Sequence, residues 1–188
     1  MNQSEQIKKM SDKELTKSII YSQILFIVIS IFLSLLLFNQ FKDWLNYFHW
    51  NGWEIFYYGI IPGFLIVLVD LILMYIFPKK YFDDGEINER IFKNRSVGSI
   101  FILAILIAIS EELLFRGVIQ TTFGFFFAST LFAFVHYRYL KKPLLLISII
   151  IISFYLGYLF MITKNLFVTM FAHFIVDFTL GLIIRYQK

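Results

Sequence analysis

The chain contains no cysteine, which excludes disulfides, thiolate metal sites and a cysteine nucleophile. It is also poor in charge. Only 16% of its 188 residues are charged and 59% are hydrophobic, where soluble domains average about 25% and about 45–50%. That balance argues against a water-soluble fold. A cleavable signal peptide is not expected either: the first 17 residues are polar, carry Lys8, Lys9, Lys13 and Lys17, and lead into an apolar run too long for a signal h-region. The first apolar segment is therefore expected to stay in the mature protein. No internal repeat appears, and there is no low-complexity tract beyond the apolar bias.

What the chain has in abundance is apolar runs long enough to cross a hydrocarbon core, which takes about 20 residues each. Six are expected: Ser18–Phe38, Ile55–Phe77, Gly98–Thr122, the shorter Phe125–Tyr139, Leu144–Ile162 and Leu166–Tyr186. The fold class is therefore all-α, a polytopic transmembrane helical bundle. With six spans, 14 of the 17 Lys and Arg residues fall on one face, Lys42 and Lys164 on the other, and Arg116 within a span. The positive-inside rule then places both termini in the cytoplasm of a multi-pass cell-membrane protein. Basic residues used for orientation in this way give no reason to expect nucleic acid as a partner; the lipid bilayer is the expected one.

One segment reads as a linker. Pro78–Val97 opens on proline, carries Asp83, Asp84, Gly85, Glu86 and Glu89, and has no apolar run. It divides an N-terminal part (1–97: tail, two accessory spans and linker) from a second part (98–188). All five alanines lie between Ala104 and Ala172, in the second part. Membrane helices associate through small residues and polar contacts rather than through apolarity, so the second part is expected to be the tightly packed bundle. The first two spans read as a lipid-facing accessory hairpin.

Ionisable residues inside spans are costly and are by default functional candidates. Glu111, Glu112, Arg116, His136, His173 and Asp177 all fall in the second part, and Asp70 lies alone in the second span. Residues four apart share a helix face, so Ala104, Ala108, Glu112 and Arg116 form one stripe, with the acid and base placed to pair. Glu111 points about 100° away and is free for another task. Asn165, Thr169, His173 and Asp177 form a second polar stripe. If the third and fourth spans make an antiparallel hairpin about Gly124, Glu111 and His136 meet about 12 residues, or roughly 18 Å, below the turn. Few residues separate His136 from Lys141, so its helix must either end in a cavity open to the cytoplasm or tilt strongly; the cavity is the expectation.

Three motifs in order, Glu-Glu-x-x-x-Arg at Glu111–Arg116, Phe-x-x-x-His at Phe132–His136 and His-x-x-x-Asp at His173–Asp177, resemble the CPBP intramembrane proteases, the CAAX proteases and bacteriocin-processing enzymes also called the Abi family. The resemblance covers about residues 98–186 and places a catalytic core in the C-terminal four spans. It implies an intramembrane endopeptidase acting on a membrane-associated peptide or protein. Glu111 is implied as general base on a water, His136 as a holder of that water or of a metal, and His173 with Asp177 as partners of the oxyanion or of the same metal. Many members carry asparagine at the Asp177 position; an acid there favours either metal binding or orientation of His173. Two histidines and a glutamate match a zinc ligand set by type, yet His-Glu-x-x-His is absent. A zinc metalloprotease and a metal-independent glutamate enzyme both stay open, and the cofactor is unassigned.

Plainer roles stand beside these. Glu112 belongs to the implied catalytic set, but with Arg116 it also reads as a buried ion pair fixing helix register. Phe132, Asn165 and Thr169 read as packing and hydrogen-bond support, Asp70 as structural, and His49 as part of an interfacial belt with Trp50 and Trp53. A non-catalytic immunity or scaffold protein of the same family is the alternative function. A proton-coupled transporter fits less well, because its polar groups belong in both halves. The bias to Phe, Ile, Lys and Asn points to an AT-rich bacterial genome and to peptide maturation rather than prenyl-protein processing.

Overall fold

The computed structural model describes residues 10–139 and 142–187, so Lys8, Lys9, Lys141 and Lys188 of the basic distribution lie outside the described residues. Among the described residues every regular element is helical. Helix α1 (Asp12–Leu37) begins at a capping box in which Ser11 and Glu14 satisfy each other's backbone N–H groups. Helix α2 (Gly52–Ile76) starts under the Asn51 cap and contains a π-helical turn over Ile55–Ile60. A short helix α3 (Ile87–Phe92) lies in the linker. Helix α4 (Val97–Phe123), capped by Ser96, is interrupted by a second π-helical stretch, Leu113–Gln120. Helices α5 (Phe125–Val135), α6 (Pro143–Thr163) and α7 (Leu166–Tyr186) complete the bundle.

Five of these helices, all but α3 and α5, are long and apolar enough to cross a membrane. Helix α5 follows Gly124, whose φ of +90° is open to glycine and costly for any residue with a Cβ. The chain reverses there, as expected, but α5 has only 11 residues, about 16 Å at 1.5 Å per residue. It is the shortest of the six expected spans and falls well below a full crossing.

Helix α7 is the hub, packed on α4, α2 and α6, while α4 also carries α1 and α5. The first two spans therefore pack on different helices of the C-terminal bundle, α1 on α4 and α2 on α7, instead of pairing chiefly with each other as a hairpin. Small residues decide this. A Cβ on Gly63 would lie 2.8 Å from Ile175 Cβ and 2.9 Å from the Ala172 carbonyl, so only glycine lets α2 settle on α7. On α1 the buried face is Leu15, Gln23, Ser30 and Ser34, while Val28, Phe32 and Leu35 are exposed to lipid.

The two ends of the bundle differ. At one, Asn165 Nδ2 donates to the His49 carbonyl at 2.9 Å and to Glu54 Oε2 at 2.8 Å, joining the α1–α2 and α6–α7 connections that carry Lys42 and Lys164. At the other, Arg90 pairs with Asp12 at 3.0 Å, Arg138 Nη2 donates to Asn88 Oδ1 at 3.1 Å, and Arg95 donates to Thr16. These contacts lash the linker to the start of α1 and to the segment after α5. Asp84 accepts from the Ile87 and Asn88 backbone N–H groups at the start of α3, and burial pushes its carboxyl above the ordinary range. Reporter domains fused after Lys42 and after Lys164 are expected to report an extracytoplasmic location. A cytoplasmic signal at either position would overturn the assignment of both termini to the cytoplasm.

Candidate active site

The site grows from the Ser110-Glu111-Glu112 step of α4, just before the π-helical stretch, a feature that often marks functional positions. The two acids point apart, as their spacing requires. Glu112 is fully buried and lies 3.4 Å from Arg116 Nε. The guanidinium, itself inaccessible, donates from Nη2 to the Ser153 carbonyl at 3.0 Å, approaches Ser129 Oγ and Gln120 Oε1 at 3.4 Å, and stands 5.1 Å over the Phe132 ring. Arg116 thus ties α4 to α5 and α6. The other Glu112 oxygen, Oε1, lies 2.9 Å from His173 Nδ1. A carboxylate accepts, so this contact assigns the proton to Nδ1 and directs Nε2 the other way.

Nε2 of His173 faces Glu111 Oε2 at 4.0 Å and Asp177 Oδ2 at 3.6 Å. His136 arrives from the end of α5. Its Nδ1 lies 2.8 Å from the Phe132 carbonyl, an obligatory acceptor, so the proton is on Nδ1 and the Nε2 lone pair faces Glu111 Oε2 at 3.9 Å. Glu111 Oε1 accepts from Gln23 Nε2 at 3.3 Å, whereas Oε2 is buried and has no hydrogen-bond partner among the described residues. Gaps of 3.9 and 4.0 Å are too long for direct hydrogen bonds, but they match the spacing at which one water about 2.8 Å from each atom would bridge them, at an angle close to 90°.

These groups line a cavity of about 640 Å³ together with Asp83, Asp84, Asn88 and Arg138. The cavity opens at the linker end of the bundle, where access to His136 was expected. Of the motif residues singled out from sequence, Glu111, Phe132, His136, His173 and Asp177 line this cavity. Glu112 and Arg116 sit behind it, and Phe132 packs against both His136 and Arg116. Asn165 is at the far end of α7, where it caps the helix. Asp70 is not isolated, because it lines the α2 side of the cavity with Ser148. Among the described residues no three His, Asp or Glu side chains are arranged to hold a metal, so the zinc set suggested by residue type does not fit this geometry.

Several contributors were missed. Gln23, Ser110, Gln120, Ser129 and Ser153 are buried polar residues that complete the network. A signal existed for one of them: Gln23, Ser30 and Ser34 are spaced seven and four apart in an otherwise apolar run, a single helical face.

The same stretch of chain is recognised by comparison with known proteins. The sequence profile of the family described as type II CAAX prenyl endopeptidase Rce1-like matches residues 93–179. An uncharacterized protein of Bacillus subtilis (strain 168), YpbD, is 42% identical over 166 residues, 88% of this chain and 88% of that protein. The chain belongs to the Rce1-like CAAX endopeptidase family. No solved structure matches it. The matched stretch carries every motif residue from Glu111 to Asp177 and excludes Gln23. With five helices able to cross a bilayer, this Rce1-like chain is a multi-pass membrane protein.

The ion pair yields a direct test. Removing one partner of a buried pair leaves the other uncompensated, at a cost of about 3–5 kcal/mol. Arg116→Ala is therefore expected to lower both the amount of folded protein in membranes and its thermal midpoint in detergent. Unchanged values would show that Glu112 does not depend on Arg116.

Proposed function

We propose that this Rce1-like protein is an intramembrane endopeptidase in which Glu111 activates a water held between its own Oε2 and the Nε2 atoms of His136 and His173. The supporting observation is that unpartnered, buried carboxylate oxygen, 3.9 and 4.0 Å from two imidazole nitrogens on the wall of a large cavity. His136, protonated on Nδ1, accepts one water hydrogen and orients the oxygen toward the scissile carbonyl. Glu111 takes the other hydrogen as the oxygen attacks. His173, held between Glu112 at 2.9 Å and Asp177 at 3.6 Å, carries positive charge through the step and turns its Nε2–H to the developing oxyanion. Glu111 then delivers its proton to the departing amine, leaving an amine and a carboxylic acid, which releases the second water proton to solvent in the cavity.

Each role has an expected size. A positioned general base contributes about 10²–10⁴-fold, and one oxyanion donor about 10²–10³-fold. Glu112 and Arg116 act in this reading as positioning residues, because neither reaches the cavity. The cavity opens at the end of the bundle that carries most of the basic residues, so water and a membrane-associated peptide or protein substrate enter from the cytoplasmic side.

Membranes carrying the intact chain are expected to release peptide products that Glu111→Gln membranes do not, with insertion and abundance unchanged, since glutamine keeps the shape and loses only the base. Full biological activity in Glu111→Gln would replace the peptidase by a non-catalytic scaffold or immunity protein. Because the cavity side chains are not arranged around an ion, exhaustive chelation is expected to leave cleavage intact. Loss on chelation that zinc restores would instead make His136 and His173 metal ligands.

A further inference from the structure

The N-terminal part of the chain reaches into the site through one side chain. Gln23, in the middle of α1, is 5% exposed and donates from Nε2 to Glu111 Oε1 at 3.3 Å, while its Oε1 receives Ser110 Oγ at 2.6 Å. A carboxylate has only acceptors, so the amide turns its Nε2 to Glu111 and its Oε1 to Ser110 Oγ, whose single proton is shared with the Leu106 and Ile107 carbonyls at 2.7 and 3.1 Å. Turned over, the amide would set its oxygen against a carboxylate oxygen at close range, with both side chains buried. Ser110 is adjacent to Glu111 in sequence and wholly buried, so the helix that carries Glu111 also anchors, through Ser110, the Gln23 amide that donates to Glu111.

We propose that Gln23 is a positioning residue for the general base: by taking Oε1 it fixes the carboxylate plane so that Oε2, and only Oε2, is offered to the water between His136 and His173. The proposal rests on the Glu111 peptidase reading and adds a working part from outside the family-matched stretch, residues 93–179. Without the amide, the Glu111 side chain is free to turn about its terminal torsion, which is broad and roughly two-fold. The nucleophilic water then loses its place while the substrate cavity keeps its walls.

The experiment uses full-length protein in membranes and, as probe, a peptide that intact membranes cleave and Glu111→Gln membranes leave whole. If no such peptide exists, the peptidase reading itself has failed, independently of Gln23. With that peptide, Gln23→Met, close in shape but without donor or acceptor, is expected to lower kcat about tenfold while KM, abundance and thermal midpoint stay as in the intact chain. Ser110→Ala, which leaves Gln23 in place without the contact that anchors its amide oxygen, is expected to lose kcat in the same way. The double variant should fall no further than the worse single one, the non-additivity of groups acting through one contact. Unchanged kcat in Gln23→Met overturns the proposal, as does a loss that tracks the thermal midpoint or adds in full to that of Ser110→Ala. Should Gln23→Met not fold, an undiminished kcat in Ser110→Ala overturns it alone.

Discussion

The Glu112 carboxylate, held between Arg116 and the His173 imidazole, is the contact on which the rest of the molecule depends. In hydrocarbon a guanidinium has no water to turn to, so Arg116 takes the Ser153 carbonyl and approaches Ser129 and Gln120, and with them sets the placement of α5 and α6 on α4. Glu112 then passes that constraint across to α7 through a 2.9 Å contact with His173. The direction of His173 Nε2 follows from which nitrogen Glu112 holds. A charge network with no access to the cavity thus aims a group that lines it.

The second constraint is water. The proposed hydrolysis inside a bilayer needs a route for it, and the short α5 supplies one: the helix ends at His136 well before a full crossing, and the linker from Asp83 to Asn88 closes over the gap without filling it. The same shortness leaves His136 beyond the last helical turn, where its ring packs on Phe132 and its Nδ1 returns to the Phe132 carbonyl. Helix end, tautomer and cavity are consequences of one chain reversal at Gly124.

Much of this was legible in the residues themselves. Apolar length identified the five long helices; fourfold spacing paired Glu112 with Arg116 and set His173 and Asp177 on one face; counting outward from Gly124 brought Glu111 opposite His136. These are properties of a single helix or of one helical hairpin, for which periodicity is a sufficient guide. The picture of an accessory hairpin went astray because apolar composition cannot say which helix a helix will touch. Gly63 and the Gln23–Ser30–Ser34 face carry that information only once a partner surface exists.

The sequence by itself determined that the chain is a membrane bundle of this family and which ionisable side chains share a helix face, because hydrophobic length and helical repeat are local quantities. Only the tertiary structure decided that Glu111 keeps one oxygen bare while Gln23 holds the other, that Glu112 serves His173 from behind, and that the cavity side chains stand apart by water-sized gaps instead of closing on a metal. Those outcomes turn on distances of 2.9 to 4.0 Å between helices, and such distances come from how close the glycines let the backbones approach and from which buried groups must be satisfied together.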